Sequence, residues 1–150
     1  MGVIRSINIS TEKGTVKKPV PQINVIEDFG LEGDAHAGKW HRQVSLLSYE
    51  QFEAFRKNGA PIEPGSFGEN LLVEGFDFKT LPVGTVFRSG DVVLELTQIG
   101  KKCHSGCEIY KIMGDCIMPR EGVFTRVLRG GRLKAGDPFE IESLPSVDDQ

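Results

Sequence analysis

The stretch GTVFRSGDVVLELTQIG, Gly84–Gly100, decides the class of fold. Valine, phenylalanine, leucine and isoleucine crowd both sides of Ser89, Gly90 and Asp91, a small polar triplet suited to reversing the chain. β-Branched and aromatic residues around a glycine-centred turn read as a β-hairpin. The segment just before it, Leu81 to Phe87, repeats the pattern L-x-x-G-x-x-F found again from Leu133 to Phe139. Two independent glycine turns, each feeding an apolar strand, account for that echo.

Working outward, GVIRSINIS reads as a strand, although Val3, Ile4, Ile7 and Ile9 alternate imperfectly. KGTVKKPVPQ, rich in lysine and proline, reads as a connection. INVIEDFGLEGDAHAG reads as a strand running into a glycine-punctuated loop, and QVSLLS, ENLLVEG, GVFTRVL and DPFEIES as further short strands. The clearest helix is SYEQFEAFRKNG: Ser48 caps it with Gln51 three residues on, Tyr49, Phe52 and Phe55 share a face, and Asn58 and Gly59 stop it. A second short helix is expected over Cys107–Met113. Several short strands with few helices predict a mainly β protein, a small β-barrel with helical insertions.

Composition sets the outer bounds. The chain has 150 residues, 39% hydrophobic and 26% charged, which suits one soluble domain over residues 1–143 with a polar tail over 144–150. A net charge of −3 without a basic run disfavours a nucleic-acid partner, whose footprint is normally basic. No apolar stretch approaches the ~20 residues of a membrane span. The start MGVIRSINIS lacks the charged lead and apolar core of a secretory leader, and three cysteines cannot close into a full disulfide framework. The expectation is a cytoplasmic protein without membrane partner.

All three cysteines fall within KKCHSGCEIYKIMGDC, Lys101–Cys116, beside His104. Three thiolates and an imidazole can satisfy tetrahedral zinc, but C-x3-C-x8-C lacks the usual paired knuckles. Cys107 and Cys116 read more simply as small buried apolar residues. Cys103 differs, because it follows Lys101 and Lys102 at the end of a strand, and neighbouring cations favour the nucleophilic thiolate. An incidental cysteine on a solvated lysine turn is the competing reading, and the residues alone leave the two level.

Three more constellations carry polar chemistry. GLEGDAHAGKWHRQVSLLS offers Asp34, His36, His41 and Arg42 on a glycine-rich loop, with Arg42 able to hold a phosphate or carboxylate in bidentate fashion. Asp34 and His41 read equally as parts of a polar surface turn. EPGSFGENLLVEGFDF brings Glu69 and Asn70 to the entry of a strand; Asn70 can donate and accept, and Glu69 can orient a basic partner. MPREGVFTRVLRGGRLKAGD concentrates Arg120, Arg126, Arg129 and Arg132, of which Arg126 is expected to point away from the core. Arg129 and Arg132 read as solvated.

In order along the chain, GDAHAGKWHRQVSLLS, SFGENLLVEGFDF, LPVGTVFRSGDVVLELTQIGKKCHSGC and GDCIMPREGVFTRVLRGGRLKAGD resemble the MOSC family, named for the C-terminal domain of molybdenum cofactor sulfurases. The resemblance implies a MOSC, pyruvate-kinase-barrel-like β-barrel and a link to molybdenum-cofactor or sulfur chemistry. Its proposed sulfur carrier or molybdenum ligand corresponds to Cys103. The family's glycine-histidine loop corresponds to Gly33, Asp34, Ala35 and His36, and its polar strand entry to Glu69 and Asn70, all as pocket-lining positions. Lys102 stands where other members carry arginine or proline, and the chain has no room for a pyridoxal-phosphate desulfurase or an N-terminal reductase barrel.

The expected function is therefore that of a stand-alone protein binding a molybdopterin-type molybdenum cofactor, or carrying sulfur as a Cys103 persulfide. Cys103 would be the reacting group or metal ligand, and Arg42, Lys102, Arg120 and Arg126 would neutralise the cofactor phosphate. A cysteine desulfurase or a molybdoenzyme would be the partner. The alternatives are a molybdenum-dependent reductase of N-hydroxylated compounds, and a non-catalytic binding module with a Cys/His metal site.

Overall fold

The structure, a computed structural model, describes residues 2–11, 17–35, 37–40, 42–57, 59, 62–99 and 122–145. The expected helix over Cys107–Met113 lies outside them, as do all three cysteines, His36, His41, Lys102 and Arg120.

The quoted hairpin forms as expected. β7 (Val86–Ser89) pairs antiparallel with β8 (Val92–Ile99) across Gly90 and Asp91. β8 continues onto β9 (Val123–Arg129), and β9 onto β5 (Val44–Ser48). β5 lies parallel to β6 (Leu71–Glu74), which pairs with β1 (Gly2–Ile9). β1 meets β11 (Pro138–Ser143), and β11 returns to β7, closing a barrel of seven strands. Closure pairs each of these seven strands on both sides.

The parallel step requires a crossover, which is supplied by the single α-helix among the described residues, α1 (Tyr49–Lys57). Ser48 caps it as its sequence predicts, its hydroxyl accepting the Gln51 N–H at 3.4 Å. Phe52 and Phe55 are buried on the face that α1 turns to the barrel wall. A 3-10 turn at Phe78–Thr80 is a further short helical piece.

Two apolar clusters use alternate residues of the same strands. Leu46 of β5 and Leu71 and Val73 of β6 point into the barrel with Ile4, Ile7, Phe87, Leu94, Val127 and Phe139. Leu47 and Leu72 point outward, against Phe52, Phe55, Phe67 and Phe124. This double-sided burial explains why β5 is buried at every position. The imperfect alternation of β1 also has a cause: its register with β6 shifts between Ile4 and Ser6, so Ile4 and Ile7 both face inward.

The L-x-x-G-x-x-F echo places Phe87 and Phe139 on adjacent strands, where their rings stack at 5.3 Å between centroids. Three strands were missed in the sequence, among them the two-residue β4 (Gly30–Leu31) in the glycine-punctuated loop. β2 (Lys18–Val20) lies within the lysine-proline connection, and β10 (Gly131–Lys134) follows the paired glycines. β2 adds to β1 alone, an edge position that tolerates Pro19. β10 pairs with β3 (Gln22–Ile26), which also pairs with β4 (Gly30–Leu31), giving a separate three-stranded sheet. Among the described residues, no helix is long and apolar enough to cross a membrane.

Candidate functional site at the barrel mouth

The entry of β6 and the loop before it hold an unusual amount of buried polar chemistry. Asn8, Lys17, Asp34, Ser45, Glu69 and Asn70 are all buried. Lys17 Nζ donates to Asp34 Oδ1 at 2.6 Å, with both side chains essentially removed from solvent. The Ser10 N–H also donates to Asp34 Oδ1, and Asn70 Nδ2 donates to Asp34 Oδ2 at 3.2 Å. Asn70 Nδ2 makes a second bond, to the Asn8 carbonyl, and Asn70 Oδ1 accepts from the Ser45 N–H and hydroxyl. The amide of Asn70 is thereby saturated. Ions and amides leave water without great cost only when they are partnered, as Asp34 and Asn70 are here.

Glu69 braces the loop that precedes β6. Its carboxylate accepts the Gly65 N–H at 2.6 Å and the Phe67 N–H at 3.1 Å, with Asn8 Nδ2 at 3.4 Å. Gly65 needs to be glycine: its φ is +93°, and an added Cβ would sit 2.1 Å from the Lys17 carbonyl oxygen. The Lys17 N–H in turn donates to the Gly65 carbonyl at 3.0 Å. Burial pushes the Glu69 carboxyl up to about 7, against the backbone N–H bonds and Lys17, which pull it down. Two buried carboxyls near one buried ammonium leave one carboxyl in excess.

Above this polar knot the barrel opens. Trp40, Arg42, Ser45, Gly68, Asn70 and Phe124 line a hollow of about 120 Å³. Arg42 reaches it half-buried, its Nε donating to Gln98 Oε1 at 3.0 Å. Its guanidinium lies 5.0 Å from the Phe124 ring centroid and 5.9 Å from that of Trp40, so the charge rests on π faces. Trp40 also walls a second hollow, of about 360 Å³, together with Asp28, Lys39, Thr97 and Arg126.

Arg126 points out of the barrel, as its place in the strand predicts, and its Nε donates to Asp28 Oδ1 at 3.2 Å. Gln43 fixes that carboxylate from behind by a 3.0 Å bond, while its own Oε1 accepts the Val127 N–H. The Gln43 bond, and then Arg126, hold the Asp28 carboxyl below its ordinary range. Three cations, Lys39, Arg42 and Arg126, thus surround the paired hollows with one carboxylate among them. Such a mouth suits an anion carried on a flat or apolar body.

Of the expected site residues, the structure brings Arg42 and Asn70 to one hollow and Arg126 to its neighbour. Glu69 lies buried, lining neither. Cys103, His36, Lys102 and Arg120 are outside the described residues, although Ile99 and Val123, the paired strand ends flanking 100–122, stand at this mouth. Asp34, read as a polar group presented by the loop or as part of a surface turn, is a buried ion-pair partner of Lys17. Lys17, Ser45, Trp40, Gln98 and Phe124 were not anticipated. The tryptophan had a signal, being the only one in the chain and adjacent to the Arg42 loop.

A profile of the MOSC domain matches residues 33–140. The chain is 25% identical over 142 residues to the uncharacterized protein YflK of Bacillus subtilis, covering 88% of this chain and 64% of YflK. It is also 25% identical over 129 residues to a protein of Gibberella moniliformis named reductase, covering 77% of this chain and 23% of that one. The crystal structure of the YUAD protein from Bacillus subtilis superposes with a TM-score of 0.79, at 22% identity, over 97% of this chain and 98% of that one. The chain thus spans under two thirds of the length of both sequence relatives, and the structural likeness concerns the fold.

Proposed function

The chain belongs to the MOSC domain family, and from that premise we propose that its barrel mouth binds a molybdopterin-type molybdenum cofactor or receives sulfur as a Cys103 persulfide. The observation that carries this reading is Arg42, seated between Trp40 and Phe124 at the edge of one hollow, with Arg126 and Lys39 around the next. The donor set fits the group: guanidinium and ammonium match a phosphate, and aromatic walls match a flat ring. Arg42 would take the phosphate, with Arg126 and Lys39 neutralising charge at the rim. Asn70, already saturated, holds the wall in place. When bound, such a cofactor supplies oxygen-atom or sulfur transfer at its metal.

Cys103 follows Ile99 by four residues in the sequence, and this reading has its thiol act at the mouth. In the carrier version its thiolate attacks the outer sulfur of a donor persulfide. One S–S bond breaks as another forms, and the donor leaves as a thiolate without net redox change. Lys102, Arg120 and His36 are retained as candidate neighbours of that step.

The test is to incubate the protein with a cysteine desulfurase and free cysteine and to measure intact mass. A one-sulfur increment lost in Cys103→Ser supports the carrier version, and an increment that persists in that variant overturns it. Molybdenum analysis after expression in hosts with and without cofactor synthesis tests cofactor binding, which should weaken in Arg42→Ala.

A second reading, reduction of a small substrate with the same bound group, is favoured by the Gibberella relative named reductase. Reductase activity undiminished in a host that cannot make the cofactor would eliminate it.

A further inference from the structure

Glu69 sits just behind the mouth without lining it. Its neighbours in the chain, Gly68 and Asn70, both line the hollow beside Arg42, while its own side chain is fully buried. Among the described residues, the charged groups of this buried knot are Lys17, from the segment ahead of β2, and Asp34, from the loop after β4. These two hold each other at 2.6 Å, so their charges offset and that of Glu69 is left over. β1 contributes Ser6 and Asn8, which are uncharged. A surplus charge in a dry interior favours the neutral form, and burial holds the Glu69 carboxyl up at about 7.

The groups around it can serve both of its states. As a carboxylate, Glu69 Oε2 accepts from Asn8 Nδ2 at 3.4 Å, and Asn8 Oδ1 accepts the Ser6 hydroxyl at 2.7 Å. As an acid, Glu69 carries its proton on Oε2 and becomes a donor facing that same amide. Turning the Asn8 amide over exchanges its oxygen and nitrogen with almost no change in shape. Asn8 Oδ1 then accepts from Glu69, and Asn8 Nδ2 donates to Ser6 Oγ, a hydroxyl able to play either part. No backbone need move, because the Asn8 N–H and carbonyl stay bound to the Asn70 carbonyl and Nδ2 at 2.7 and 3.1 Å. Oε1 goes on accepting the Phe67 N–H, and Oε2 keeps acceptor capacity for the Gly65 N–H.

We propose that Glu69, Asn8 and Ser6 form a proton-binding site coupled to the mouth, so that an anion bound beside Arg42 draws a proton onto Glu69. The coupling rests on the anion-binding reading of the mouth, whereas the proton site does not. An anion in front of Gly68 and Asn70 repels a carboxylate behind them and favours the acid. By linkage, the acid favours the anion equally. Affinity is therefore full below about 7 and falls as pH rises above it, by at most about tenfold per pH unit for one coupled proton.

Two measurements on the native chain test this. In the unliganded protein, the Glu69 side-chain carboxyl resonance should titrate near neutrality, and the Asn8 side-chain amide resonances should shift with the same midpoint. A Glu69 carboxyl that titrates in the ordinary carboxylate range, or an Asn8 amide that does not follow it, would overturn the proton site. For the coupling the probe is 4-nitrophenyl sulfate, whose charge does not titrate near neutrality, followed by calorimetry in buffers of different ionisation enthalpy. Uptake approaching one proton is expected at about pH 8, and Glu69→Gln, which imitates the acid, should bind without uptake and without a fall in affinity. Binding without uptake in the native chain, or uptake that persists in Glu69→Gln, overturns the coupling. No binding at any pH would overturn the anion-binding mouth and the coupling with it, while the resonances of the unliganded chain still decide the proton site.

Discussion

Lys17 and Arg126 are both cations beside a carboxylate, and the molecule treats them in opposite ways. Lys17 meets Asp34 at 2.6 Å with side chains 1% and 0% exposed, inside a network that also fixes Asn70, Ser45 and Asn8. Arg126 meets Asp28 at 3.2 Å with side chains 50% and 42% exposed. Water screens the second pair and leaves it free to exchange partners, while the first has nowhere else to turn. A ligand can recruit a screened cation cheaply, and a dry one hardly at all. The buried knot therefore builds the loop that frames the mouth, and the mouth's cations stay available.

The largest effect that would expose this difference is on folding stability. Asp34→Ala strands the Lys17 ammonium in the interior and should cost on the order of 3–5 kcal/mol in a urea denaturation experiment. A loss under ~1 kcal/mol would mean that Lys17 escapes to water, and the contrast would collapse.

Next comes a dependence on pH. Glu69 holds its proton to about 7 in the folded chain, against a normal value of 4.5. Between those values the folded state binds more protons than the unfolded one. Stability from this group is therefore full below about 4.5, falls as pH rises through the window, and levels off above about 7. The total change is on the order of 3 kcal/mol, and the slope should vanish in Glu69→Gln. A slope unchanged in that variant would assign the titration elsewhere.

At the mouth the order of effects reverses. Arg126→Ala should change stability by no more than ~0.5 kcal/mol, yet weaken binding of phosphate-bearing ligands measured by calorimetry. Arg42→Ala, which also loses the Gln98 bond and its two aromatic contacts, should weaken that binding further. A mouth arginine as important to folding as Asp34 would erase the distinction between the two regions.

The sequence carried the barrel further than the knot. The Gly84–Gly100 hairpin, the Ser48 cap and the strand at Leu71 depend on neighbours within a few residues, so local pattern reveals them. Arg126 also announced its outward direction by alternation with Val127. Lys17 could not be read this way, since its local company of lysines and prolines signals solvent. Its partner Asp34 lies 17 residues on and is brought in only by the folded chain. Glu69 and Asn70 were singled out together, but their tasks differ: one pins Gly65 and Phe67, the other joins three strand segments. Ser45 was hidden among leucines, because a strand buried on both faces gives no hint that one position is polar by necessity.

The pairing of Ile99 with Val123 has an architectural consequence. The chain leaves the β8–β9 ladder and returns to it at neighbouring points, so the barrel reads residues 100–122 only as a closed loop. Closure entropy grows slowly, by about 0.6 kcal/mol per doubling of length. The described barrel closes without a strand from that segment and so serves it as a socket. Replacing 100–122 with a short glycine-centred turn should leave a folded, cysteine-free scaffold, and exchanging the segment between relatives should transfer chemistry without redesigning the wall.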